Sequence, residues 1–137
     1  MANKPTILLF HVEPDKTKKI EAICRSFKIN VSKVKMSSYS QQLGYLAGIT
    51  GFNRQNVTYQ GVEFPSEMLV FSGMNGETVD TFLEKYKEAS IPPIGMKAIL
   101  TQHNVFWTAE ELYKELWKEH QSFSSSSADI YNRRKDF

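Results

Sequence analysis

The chain states one pattern twice, and that repetition limits its possible folds more than any motif in it does. Ile7-Leu8-Leu9-Phe10 is an apolar run that leads into a helix-period segment and then a second strand-like run, Val31 to Met36. Some sixty residues later Met68-Leu69-Val70-Phe71 does the same, followed by another helical segment and the run Ile94 to Leu100. Alternating strand and helix signals repeated at a fixed offset point to an α/β fold, a single domain of two βαβα halves. The halves fall at about 5–49 and 67–120. Residues 50–66 form a connecting loop and 121–137 a Ser-rich tail.

The helices are read from spacing. Pro14 fixes the entry of the first, which starts near Asp15, and Ile20, Ile23, Cys24 and Phe27 follow at i, i+3, i+4 and i+7. Lys16, Lys18, Lys19, Glu21 and Arg25 fall off that face and are expected in water. Val79, Phe82, Leu83 and Tyr86 repeat the pattern behind the turn Ser72-Gly73-Met74-Asn75-Gly76, with Asn75 as N-cap. In the last helix Thr108 and Glu111 have capping-box spacing, and Ala109, Leu112, Tyr113, Leu116 and Trp117 make the apolar face. A short helix is expected around Tyr39 to Ala47, with Leu43 and Leu46 inward. Gly44 and Gly48 there suit close packing.

Runs 7–10 and 68–71 are apolar at every position, which fits strands covered on both faces. The other two alternate: Val34 and Met36 with Lys33 and Lys35; Met96, Ala98 and Leu100 with Lys97, Ile99 and Thr101. The first and third strands are therefore central and the second and fourth lie at the edges. Two plans satisfy this ordering. One is an open four-stranded parallel sheet, 2-1-3-4, with helices flanking both faces. The other is a ferredoxin-like α+β sandwich, 4-1-3-2 and antiparallel, with an added C-terminal helix. The parallel sheet is favoured, because about thirty residues join the second and third strands and suit a crossover better than a hairpin. Residues 50–66, with Gly51, Gly61 and Pro65, read as a long surface loop.

With 137 residues, 41% apolar and 23% charged, the chain has the composition of an ordinary globular protein. No apolar run approaches the roughly 20 residues that span a bilayer. MANKPTILLF enters a strand run without the succession of a signal peptide, and a lone cysteine fits a reducing compartment, so a cytoplasmic location is expected. Residues 1–64 hold nine Lys/Arg against four Asp/Glu, and residues 65–120 hold five against nine. A basic half could meet an anionic partner such as nucleic acid, but mutual complementation of the halves is the preferred reading, and Arg133-Arg134-Lys135 is too short a cluster to change it. A homodimer is expected, formed through the edge strands or through Ile130, Tyr131 and Phe137 of the tail.

The strand MLVFSG, the helix ending LEKYKEASIPP, the strand GMKAILT and the continuation QHNVFWTAEELYKELWKEH carry a resemblance. Over Glu67 to His120 the chain resembles a bacterial family catalogued only as a domain of unknown function, of the DUF3783 type. LLFHVEPDKTKKIEAICRSFKINV and SYSQQLGYLAGI are similar to what precedes that domain in such proteins. The resemblance implies no activity. It directs attention to Lys97, Thr101, Asn104 and Trp107, and the chain departs from the family pattern at Gln102-His103, where a proline is expected.

Those four residues gather donors and an aromatic ring at a strand-to-helix turn, and in a parallel sheet such a turn lies at the carboxyl end where open α/β folds bind ligands. A purely structural alternative gives Trp107 the role of a staple, Asn104 that of a turn former and Lys97 that of a solvated edge charge. Ser72, Gly73 and Asn75 could present backbone N–H groups to an anion, although the segment is neither G-x-x-x-x-G-K-[ST] nor G-x-G-x-x-G. His11, His103 and His120 are scattered and no metal is expected; nor is a cofactor. Cys24 sits on an apolar helix face, where thiols are inert. With no paired carboxylates, triad or phosphate loop, the chain reads as a non-enzymatic accessory or regulatory module binding a protein partner or a small anionic ligand. The alternatives are an enzyme centred on Lys97 with Thr101 or His103, and weak nucleic-acid binding by the basic half.

Overall fold

Residues 4–122 are described in a computed structural model. Strands β1 (Thr6–Phe10) and β3 (Met68–Ser72) are buried at all five positions, while β2 (Asn30–Val34) and β4 (Met96–Ile99) are partly exposed. They form one sheet in the order β2-β1-β3-β4, so the two apolar runs are central and the two alternating ones lie at the edges. Helices α1 (Pro14–Ser26) and α3 (Gly76–Glu88) cover one face. The other face carries α4 (Ala109–Ser122), the single turn α2 (Leu43–Leu46) and the segment around them. Burial of both faces explains why the central strands are continuously apolar.

The sheet is mixed, not parallel. β1 pairs with β2 and β3 with β4 in parallel, but β1 and β3 run antiparallel, with Thr6 opposite Ser72 and Phe10 opposite Met68. The cause lies in the connection from β2 to β3. It leaves β2 through a 3-10 turn, Met36–Ser38, and reaches the far end of the sheet. There the N–H groups of Leu43 and Gly44 donate to the carbonyls of Trp107 and Val105. It then returns, so that Tyr59 N–H donates to Ser37 O at 3.1 Å. Departure and return at the same end make β3 start beside the end of β1, which an antiparallel pairing requires. The short helix expected over Tyr39 to Ala47 is confined to Leu43–Leu46, with Gly48 at φ 77° beyond its end.

The two βαβ units match residue for residue through α1 and α3. Each helix has 13 residues and starts four positions after its strand ends. His11 and Gly73, both with positive φ, lie between strand and helix, and Lys28 and Ser90, both at φ 57°, close the helices. Ile29 N–H bonds to Cys24 O and Ile91 N–H to Tyr86 O, the six-to-one bond of a Schellman ending. Each pair is 62 positions apart. Together with the antiparallel centre this makes the halves related by an approximate two-fold axis normal to the sheet, passing between Leu8 and Val70.

Lys16 departs from its expected place in water. It is 9% exposed and its Nζ meets Glu67 Oε1 at 2.6 Å. The second oxygen of Glu67 accepts the N–H of Glu13 at 3.0 Å, so one carboxylate of the acidic half holds the start of a helix in the basic half. Residues 50–66 contain no helix or strand, yet they are not wholly surface: Phe64 lies inside the core, stacked at 4.0 Å on Tyr39 and at 4.2 Å on Tyr113. The tail residues Ile130, Tyr131, Arg133, Arg134, Lys135 and Phe137 lie outside the described residues.

Cys24 is buried between α1 and the sheet, and burial, reinforced by the Glu21 carboxylate, pushes its thiol up to about 12. At pH 8 the thiolate is then on the order of one part in ten thousand, too little for nucleophilic reaction. We expect Ellman's reagent to titrate no thiol in the native protein and one thiol in guanidinium chloride. Prompt native reaction would contradict this packing.

Candidate functional site

The carboxyl ends of β3 and β4 lie together because these two strands are parallel. Each is followed by a turn and a helix. After β3, Gly73 takes φ 69°, and Asn75 caps α3 by accepting Thr78 N–H on Oδ1 at 2.8 Å. After β4, Thr101 Oγ1 accepts the N–H groups of His103 (3.1 Å) and Asn104 (3.3 Å). Asn104 Oδ1 accepts Thr101 N–H, and its Nδ2 donates to Ile99 O. This interlocked turn is formed without a proline, with Gln102-His103 between Thr101 and Asn104. Thr108 and Glu111 then cap α4 reciprocally, at 2.8 and 3.1 Å.

Between these turns lies a cavity of about 440 Å³. Its walls are Ile49 and Phe52 from the β2–β3 connection, Ser72 and Gly73 from the end of β3, and Leu100, Thr101, Gln102, Val105 and Phe106 from the turn after β4. Phe52 and Phe106 meet at 5.1 Å with their rings tilted by 47°. Phe106 is 62% exposed, a large apolar side chain at the rim. Gly44 makes room for the Phe52 ring: a Cβ there would stand 2.7 Å from its Cγ. None of the lining residues is ionisable.

One polar atom in this wall is unusual. Ser72 is 1% exposed, and its Oγ is the single buried side-chain N or O among the described residues without a hydrogen-bond partner. A buried hydroxyl left unpaired costs roughly 1–3 kcal/mol, and native proteins carry few of them. It shares a sheet face with Val70 and Leu100, the face on which the cavity opens.

The residues singled out from the sequence divide into two groups. Ser72, Gly73 and Thr101 line the cavity together. Asn75 and Asn104 bond to their own turns. Trp107 is half-buried against the α4-side core, and its carbonyl takes Leu43 N–H at 2.8 Å. Lys97 lies on the opposite face, level with Leu69, and donates to Ile94 O at 2.7 Å; burial lowers its pKa. Lys97 and Ser72 therefore stand on opposite faces of the sheet and do not converge. Ile49, Phe52, Leu100, Val105 and Phe106 were not apparent as site residues. The available signal was two phenylalanines, Phe52 and Phe106, within otherwise irregular stretches. Among the described residues no cluster of His, Cys, Asp or Glu could hold a metal, and no helix is long and apolar enough to cross a membrane.

Residues 67–123 match the family model described as a domain of unknown function, DUF3783. That segment is similar to the DUF3783 family. It spans β3, α3, β4 and α4 and supplies Ser72, Gly73, Leu100, Thr101, Gln102, Val105 and Phe106 to the cavity. Ile49 and Phe52 come from outside the DUF3783 segment. No activity is assigned to the family. No curated protein and no solved structure matches the chain.

Proposed function

We propose that the chain is a non-enzymatic binding module whose ligand site is the cavity at the carboxyl ends of β3 and β4. The observation that carries this reading is the unpartnered Ser72 hydroxyl in the wall of a roughly 440 Å³ cavity. Small-molecule sites are concave, mostly apolar and furnished with few polar groups, and their volumes run from about 300 to 1,000 Å³. Their usual place in open α/β sheets is the crevice outside the carboxyl ends of the strands.

The lining also narrows the ligand. An anion would leave water and meet no cationic side chain in this wall, a poor exchange for a charged group. A small, largely apolar and uncharged ligand suits the site better than the anionic one expected from the glycine turn. The basic half offers less to a nucleic acid than its count of lysines suggests, since Lys16 is held by Glu67 and Lys33 lies 3.5 Å from Glu21.

A fragment library of uncharged monocyclic and short aliphatic compounds, screened at millimolar concentration by amide-resolved NMR, tests the reading. Binding should shift the amides of Gly73, Thr101 and Phe106 together, leaving those of α1 in place. A library that moves none of these amides would remove the proposal.

A further inference from the structure

The two-fold relation between the halves specifies the ligand more closely than the cavity alone. Phe10 and Ser72 are the last residues of β1 and β3, and the axis through Leu8 and Val70 carries one onto the other. An axis normal to the sheet preserves its faces, so both side chains stand on the α4 side. In the first half the position holds an aromatic ring: Phe10 is fully buried, 5.9 Å from the ring of Tyr39 and 6.4 Å from that of Phe64. In the second half it holds a hydroxymethyl group, and the space beside it is the cavity walled by Ile49, Phe52, Leu100, Val105 and Phe106. The fold thus places an aromatic ring here once and, in the other half, a small buried side chain in the wall of a cavity.

The polar complement follows from the same residue. A serine hydroxyl both donates and accepts, and that of Ser72 does neither within the described residues. Thr101 Oγ1, the other hydroxyl of the wall, already accepts two backbone N–H groups. The volume is about three times the roughly 150 Å³ of an apolar cavity that accepts benzene, so a ring with a substituent has room. Tilted rings such as Phe52 and Phe106 favour a further aromatic partner over a saturated one.

We infer that the cavity takes an uncharged aromatic ligand bearing one hydroxyl or carbonyl, its ring replacing the counterpart of Phe10 and its polar atom bonded to Ser72 Oγ. This rests on the reading of the cavity as the ligand site.

The test uses the full chain and four probes, phenol, toluene, 1-hexanol and benzoate, titrated while the amides of Gly73 and Phe106 are followed. Phenol should bind about fivefold or more tightly than toluene, the ratio expected of one neutral hydrogen bond. Hexanol and benzoate should bind more weakly than phenol. Ser72→Ala should erase the preference for phenol over toluene while keeping the binding of toluene. Ser72→Phe, which restores the ring present in the first half, should abolish the binding of all four and raise the melting temperature. Hexanol or benzoate matching phenol, or a phenol preference that survives in Ser72→Ala, would overturn the ligand class and leave a binding cavity of other specificity. If wild-type protein binds none of the probes, the cavity reading fails with it. Should Ser72→Phe not fold, the Ser72→Ala comparison decides alone.

Discussion

Phe64→Ala lowers the free energy of unfolding by about 3–5 kcal/mol, the cost of removing a buried aromatic ring that its neighbours cannot replace. The ring is held between Tyr39 and Tyr113 with interplanar angles of 13° and 9°, and it reaches the ring of Phe10 in the sheet. Tyr39 and Tyr113 cannot close on each other, because each is tethered by its own hydroxyl. Tyr39 donates to Glu63 and Tyr113 bonds Ser66 Oγ at 2.7 Å. The cavity left behind therefore persists. Urea denaturation with an unchanged m-value would measure the loss. A loss under 1 kcal/mol would mean that the β2–β3 connection does not pack as described. Phe64→Leu should recover about half of the effect.

The second large effect concerns Lys16 and Glu67. Glu67→Met should cost about 2–3 kcal/mol, because it leaves an ammonium buried without a counter-charge and the N–H of Glu13 without its acceptor. Lys16→Met should cost less. Glu67 is 22% exposed, so water reaches it, and it keeps the bond from Glu13. The double replacement should lie within about 1 kcal/mol of wild type, since two apolar side chains of similar length fill the same space. Chemical denaturation of the four proteins forms a double-mutant cycle. Losses that simply add would show that the 2.6 Å contact carries no coupling energy.

The order of the strands was legible in the amino acids, and the physical reason is simple. A strand covered on two faces must be apolar at consecutive positions, whereas an edge strand admits Lys33 or Lys97. The caps were legible too: Asn75, Thr108 and Glu111 bond where their spacing places them, because the partners lie three residues away. What lay hidden depends on distant partners. The direction of β3 is decided by where the β2–β3 connection comes back, and nothing within β3 records that. Lys16 looks like any solvated helix lysine until Glu67 is brought to it across the sheet. His11 occupies a left-handed backbone conformation that its counterpart Gly73 announces and a histidine does not. Of the site, Ser72, Gly73 and Thr101 could be found from the turn chemistry. Phe52 could not, since its place beside Gly44 arises only when the connection folds back.

The antiparallel centre bears on how the sheet ends. Each half offers the same edge of its first strand to the other, as two subunits do in an isologous dimer, so the pairing satisfies itself after one partner. A head-to-tail arrangement of the same units would have left that edge free to recruit another strand, then another. Here the two strands apolar on both sides have no free edge left. The outermost strands carry Lys33 on one side and Lys97 on the other, with Pro92 and Pro93 just ahead of β4. Charge and proline are what discourage further strand addition. Two equal halves thus close the centre of the sheet and leave only its outer strands with a free edge among the described residues.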